Sequence, residues 1–192
     1  MKKILSRTTI TVMSAVAALM TCATYLPAAE GDNATDNHAA QRGQFVRKDY
    51  KFARDAYNAN LLEVRLGELA KQKGSIEAAK QFADQMVKDH TKANDELKQI
   101  IEKKGAVLPG QLSHRQESEY TRLQKLTGKD FDKSYADHMV KEHKKDIKEF
   151  RDGAKDLQDL DLKAFAQKTL PTLEHHEQMA EQLESSVKQQ EP

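Results

Sequence analysis

The chain has 192 residues, enough for one domain with a sizeable core, and 32% of them are Asp, Glu, Lys or Arg. A formal charge of +1, with no block of five or more Lys and Arg, gives no reason to expect nucleic acid as a partner. Eight Gly, four Pro, no Trp and 6% aromatic residues argue against a turn-rich sandwich or barrel and leave room for long helices.

The first residues carry an address. Lys2, Lys3 and Arg7 precede an apolar run from Ile10 to Ala23, followed by Thr24, Tyr25 and Leu26-Pro27-Ala28-Ala29. This is the pattern of a secretory signal peptide, and its apolar run is shorter than the ~20 residues of a membrane-spanning helix. Residues 1–29 are read as a cleavable signal, cut after Ala23, Ala28 or Ala29, with the boundary drawn at Ala29. A retained N-terminal anchor is the alternative. The expected location is a bacterial periplasm, with no transmembrane helix in the mature chain. Cys22, the one cysteine, follows Leu19-Met20-Thr21, a weak form of a lipoprotein acylation site, so lipid anchoring is the lesser reading. With the signal removed no thiol remains, which excludes disulfides and Cys-ligated zinc. Residues 30–45 are small and polar without an apolar period and read as a disordered linker, with His38 solvated in it.

The remainder, 46–188, reads as an all-α domain of four long helices. The first is expected from about Asp49 to Gln72, with Phe52, Ala56, Leu62, Leu66 and Leu69 on its apolar stripe and Glu63 inside that stripe. Gly74 reads as a left-handed stop and Ser75 as the cap of the second helix, which returns antiparallel. Ile76, Ala79, Phe82, Ala83, Met86, Leu97 and Ile101 form the second stripe, with His90 in its middle. The passage from Gly105 to Lys129 is too long for a tight turn. Within it Ser113-His-Arg-Gln116 matches a capping box that opens a short helix to about Thr127, so the passage reads as a crossover. Asp130 is expected to cap the third long helix, which reaches about Leu157 with Asp132, His143 and Asp146 along its stripe and His138 off it, in solvent. The fourth begins near Asp161, with a kink or restart expected at Pro171 and His176, not His175, on the apolar side.

Each long helix thus places one ionisable side chain among apolar ones: Glu63, His90, His143 and His176. Three imidazoles and a carboxylate are a ligand set for zinc, iron, manganese or copper, and bundle cores are where helices assemble such sets. Asp132, Asp146, Tyr57 and Tyr135 are candidate partners behind the ligands. The competing reading needs no metal: Glu63–His90 and His143–Asp146 pairs would satisfy one another and fix helix register. Catalysis is not favoured. No Glu-x-x-His pair of a diiron site and no nucleophile elbow is present, and the mature chain has no cysteine. Met86, Met139 and Met179 fall at core spacing, which suits packing better than copper ligation.

Four stretches in order resemble the bacterial DUF4142 family. They are Leu62-Glu63-Val64-Arg65-Leu66-Gly67-Glu68-Leu69-Ala70, Phe82-Ala83-Asp84-Gln85-Met86-Val87-Lys88-Asp89-His90, Phe131-Asp132-Lys133-Ser134-Tyr135 with Met139 and His143, and Thr169-Leu170-Pro171-Thr172-Leu173-Glu174-His175-His176. The resemblance implies a ferritin-like four-helix bundle and an exported protein of no established activity, in the periplasm or peripherally associated with the outer membrane. The family's pattern places a glutamate at Glu63 and histidines at His90, His143 and His176. The expectation is an exported ferritin-like bundle of unknown biochemical activity whose buried Glu/His cluster is a candidate transition-metal site. The alternative is a helical interaction or stress protein with a purely structural network.

Overall fold

A computed structural model describes residues 47–190, and among them every regular element is a helix. The elements are α1 (Arg47–Lys73), α2 (Glu77–Lys103), α3 (His114–Gln124), α4 (Gly128–Asp156) and α5 (Leu160–Lys188). The expected signal peptide, the linker, Cys22 and His38 lie outside the described residues. No helix among those described is long and apolar enough to cross a membrane.

Several boundaries follow the expected local chemistry. Gly105 takes φ 71°, and the N–H groups of Gly105 and Ala106 reach back to Glu102 and Ile101, the paired bonds of a Schellman stop for α2. Ser113 and Gln116 form the reciprocal capping box at the start of α3. Others do not. Ser75 does not cap α2: the N-cap is Ile76, without a side-chain bond, and Asp132 of α4 supplies the missing acceptor. Gly74 is not left-handed. It is needed because a Cβ there would lie 2.7 Å from the Ala70 carbonyl and 3.3 Å from Asp132 Oδ1. The N-cap of α4 is Thr127 rather than Asp130, and α5 runs through Pro171 without a restart. A single missing N–H within a 29-residue helix packed on two neighbours is tolerated where an isolated helix would break.

Contacts at the helix ends fix the topology. Asp49 of α1 accepts from the N–H groups of Gln158 and Asp159 in the α4–α5 turn, and Lys104 after α2 meets Asp159 at 2.6 Å. At the opposite end Asp132 holds the α1–α2 turn through Ser75 and Ile76, and Lys129 reaches the Gln190 carbonyl. Hence α1 and α5 run one way and α2 and α4 the other. Residues 104–127 carry the chain from one end to the other, and α3 packs on α1 and α4 along that path.

Two apolar clusters fill the interior. One holds Leu66, Phe82, Met86, Phe131, Tyr135 and Leu183; the other holds Ala53, Leu97, Phe150, Leu162, Phe165 and Leu173. Each long helix passes from one cluster to the other, and where it does so it buries polar residues. These are Asn60 and Glu63 on α1, His90 and Asn94 on α2, His143 and Asp146 on α4, and His176 on α5. Glu63 thereby lies level with the three histidines, which sequence distance from the turn left open.

One spacing relates the two hairpins. It carries Asp49 to Asp132, Ser75 to Gln158, Ile76 to Asp159, Asn60 to His143 and Glu63 to Asp146. Each hairpin's first helix thus opens with a buried aspartate that ties down the turn of the other hairpin.

Candidate metal centre

His90, His143 and His176 are 2%, 0% and 1% exposed, and their ring centroids stand 5.2–5.7 Å apart. One nitrogen from each lies within 4.8 Å of those from the other two. One nitrogen of each ring has a hydrogen-bond partner, and the partners set the tautomers.

The clearest case is His143, whose Nδ1 is 2.8 Å from the Met139 carbonyl. A carbonyl only accepts, so Nδ1 carries the proton and Nε2 keeps its lone pair. His176 Nε2 is 2.9 Å from Asp89 Oδ2. Although burial opposes it, bonds from Gln85 and His176 hold Asp89 below its ordinary value, so it too accepts, leaving the Nδ1 lone pair free. His90 Nδ1 lies 2.9 Å from Asn60 Oδ1. That amide's orientation is fixed from further out. The Tyr57 carbonyl accepts from Asn94 Nδ2, which turns Asn94 Oδ1 toward Asn60 Nδ2 at 3.0 Å and Asn60 Oδ1 toward His90. His90 therefore donates from Nδ1 as well.

The result is three unprotonated nitrogens, His90 Nε2, His143 Nε2 and His176 Nδ1, all buried with no protein hydrogen-bond partner. Lone pairs gathered in a dry interior repel one another, and each lost bond costs about 1–3 kcal/mol. Burial pushes all three histidines below the ordinary imidazole value, His176 to about 4, and the neighbouring rings push His90 further. Protons are therefore a poor remedy. A cation is a good one: nitrogens no more than 4.8 Å apart stand at most roughly 2.8 Å from a common centre, about 0.7 Å beyond a zinc–imidazole bond.

Glu63 is 2% exposed and stands on the other side of the rings, Oε2 3.1 Å from His90 Nδ1 and Oε1 3.7 Å from His143 Nδ1. It is outside the converging set. It lies behind two of the imidazoles, facing a cleft between α1 and α4. Burial and then the charge of Glu142 raise its pKa to about 8, against a smaller pull from Lys145. Asp146 borders the same cleft, its carboxyl raised by burial and by Glu63. Tyr135 is wholly buried with its hydroxyl unpartnered, raised by burial and again by Glu63. Tyr57 takes part through its carbonyl. Asp132 is not a partner of the histidines, because the α1–α2 turn binds it at the end of the molecule. His143 uses Met139, not Asp146, for its Nδ1.

Asn60, Asn94 and Asp89 were not singled out by the stripes. Asn60 offered a signal, standing one turn before Glu63 on the same face; Asp89, next to His90, lies off the stripe and is recognisable only once α5 is beside it. His138 is not in solvent: it is 8% exposed, with Nδ1 3.1 Å from Glu119 of α3. The short helix covers it, which the period of α4 alone could not reveal.

A family model for a domain of unknown function, DUF4142, matches residues 34–183. The chain belongs to the DUF4142 family. All five helices of this member fall within that match except the last turn of α5. Comparisons with curated proteins and with solved structures give no match.

Proposed function

We propose that this DUF4142 protein is an exported, ferritin-like four-helix bundle whose core holds one transition-metal ion on His90, His143 and His176. The observation that carries the reading is the convergence of three buried imidazoles, each left with an unpartnered nitrogen because Asn60, the Met139 carbonyl and Asp89 fix its tautomer. Metal-bound histidines characteristically donate their other N–H to such acceptors. An all-imidazole set suits zinc or copper, suits iron less, and suits manganese least, since manganese favours oxygen donors. The helix order, two antiparallel hairpins joined by a long passage bearing α3, supports the bundle; the basic-then-apolar pattern of residues 1–29 supports export. No reaction is assigned to the centre.

Metal analysis of tag-free protein tests this. At least one equivalent per chain is expected, with one equivalent fewer in His143→Ala and none lost in His175→Ala, whose imidazole is off the apolar side. Content unchanged by His143→Ala would overturn the reading. A purely structural network predicts instead that each core histidine nitrogen has a protein partner, and one on each of His90, His143 and His176 does not. An interaction protein predicts an exposed apolar patch of several hundred Å². Val107 and Leu160 are the large apolar side chains exposed among the described residues, too few to form one. Export is checked by the mass of the mature chain from the periplasmic fraction, where a start near Glu30 is expected and an intact Met1 would refute cleavage.

A further inference from the structure

The cleft between α1 and α4, roofed by α3, has a volume of about 360 Å³ and is bordered by a column of side chains on α4: His138, Glu142 and Asp146, one per turn. His138 is more than nine-tenths buried. Its Nδ1 faces Glu119 Oε1 at 3.1 Å, and Arg122 holds the same carboxylate through two bonds of 2.7 and 3.0 Å. Glu119 therefore accepts, His138 carries its proton on Nδ1, and the Nε2 lone pair is left buried without a protein partner. Glu142 follows at the i+4 position, where one helix brings an imidazole and a carboxylate to one face. Its side chain is 20% exposed and its ion pair with Lys145 is a long one, 3.5 Å. Deeper in the cleft stands Glu63, both oxygens buried and unpartnered.

The bland role of His138 is to hold α3 on α4 through Glu119. That role uses Nδ1 and leaves Nε2 as a net cost of about 1–3 kcal/mol. We propose that His138 Nε2 and Glu142 form a second metal site, a peripheral imidazole–carboxylate site for a zinc-like divalent ion reached through the α1–α4 cleft. Glu119 is its positioning residue, holding His138 in the metal-ready tautomer as a carboxylate behind a histidine ligand does. None of its groups belongs to the three-histidine core, so the inference stands or falls apart from that centre.

Zinc titration of the tag-free full chain by calorimetry tests it. Wild type is expected to take two equivalents, and Glu142→Gln one. Glu142→Gln leaves the His138–Glu119 contact in place, so an unchanged melting temperature without metal separates ligand loss from unfolding. Glu119→Gln should weaken the peripheral equivalent by ~10–100-fold and spare the other. Two equivalents retained in Glu142→Gln, or a single wild-type equivalent lost in His143→Ala and kept in Glu142→Gln, would overturn the proposal. A single equivalent lost in Glu142→Gln and kept in His143→Ala would support it while removing the core centre.

Discussion

The hairpins α1–α2 and α4–α5 agree at the positions that hold the molecule together and disagree where the polar band crosses it. Under the shared spacing Asp49 matches Asp132, Ala53 matches Ala136, Phe82 matches Phe165 and Ala83 matches Ala166, all of them buried. In the band, Asn60 and Glu63 of α1 correspond to His143 and Asp146 of α4, while His90 matches Leu173 and His176 matches Ala93. Packing two hairpins by an approximate twofold requires matching contacts, and the agreeing positions provide them. Three imidazoles cannot obey a twofold. One of the four helices must supply support in place of a donor, and α1 does so, with an amide and a carboxylate at the level where α4 has an imidazole and a carboxylate.

The largest test of this comparison removes the paired clamps. Asp132→Ala leaves the N–H groups of Ser75 and Ile76 and the Ser75 hydroxyl without their acceptor, and should destabilise by about 3–4 kcal/mol in urea unfolding. Asp49→Ala strands two N–H groups and should cost about 2–3 kcal/mol. A neutral Asp49→Ala would break the equivalence of the two ends.

A test of the disagreement follows, with a smaller effect. Asn60→Ala removes the acceptor that fixes the His90 tautomer and should weaken metal binding by ~10–100-fold in competition with a chelator. Asn94→Ala acts one bond further out and should weaken it by less, about 10-fold at most. Equal losses, or none, would dissolve the relay from the Tyr57 carbonyl.

The smallest effect is on pH dependence in the metal-free protein. The folded-state pKa of His176 is about 4 against 6.5 for the free side chain, so the unfolded chain binds the proton more readily and stability falls as pH drops from 6.5 toward 4. His90 and His143 shift the same way. Glu63 acts oppositely: raised from 4.5 to about 8, its folded form keeps a proton that the unfolded chain releases, and stability falls as pH rises through that window. The histidines thus give an acid limb below 6.5, and Glu63 an alkaline limb up to about 8. Glu63→Gln should make the alkaline limb shallower by at most ~1.4 kcal/mol per pH unit and leave the acid limb standing. An unchanged alkaline limb would remove Glu63 from the set of buried titrating groups.

Much of this was legible in the chain. A helix repeats its facing every 3.6 residues, so a histidine among Phe82, Met86 and Leu97 had to be buried, and the same held for Glu63, His143 and His176. Asp132 was read as interior for the same reason, correctly, yet periodicity says nothing about height along the axis, and it serves the turn at one end. His138 was misread because the helix that covers it comes from the crossover. Ser75 looked like a cap because serine before a helix usually is one; the acceptor arrived instead from a helix more than fifty residues away.

By itself the sequence determined the five helices, the closeness of the four ionisable residues to the core and the family to which the chain belongs, because all three rest on local pattern. Which nitrogen of each histidine is free, and on which side of the rings Glu63 stands, only the tertiary structure decided. Those answers depend on the Met139 carbonyl, Asn60 and Asp89, partners whose distance and orientation arise when four helices are set side by side.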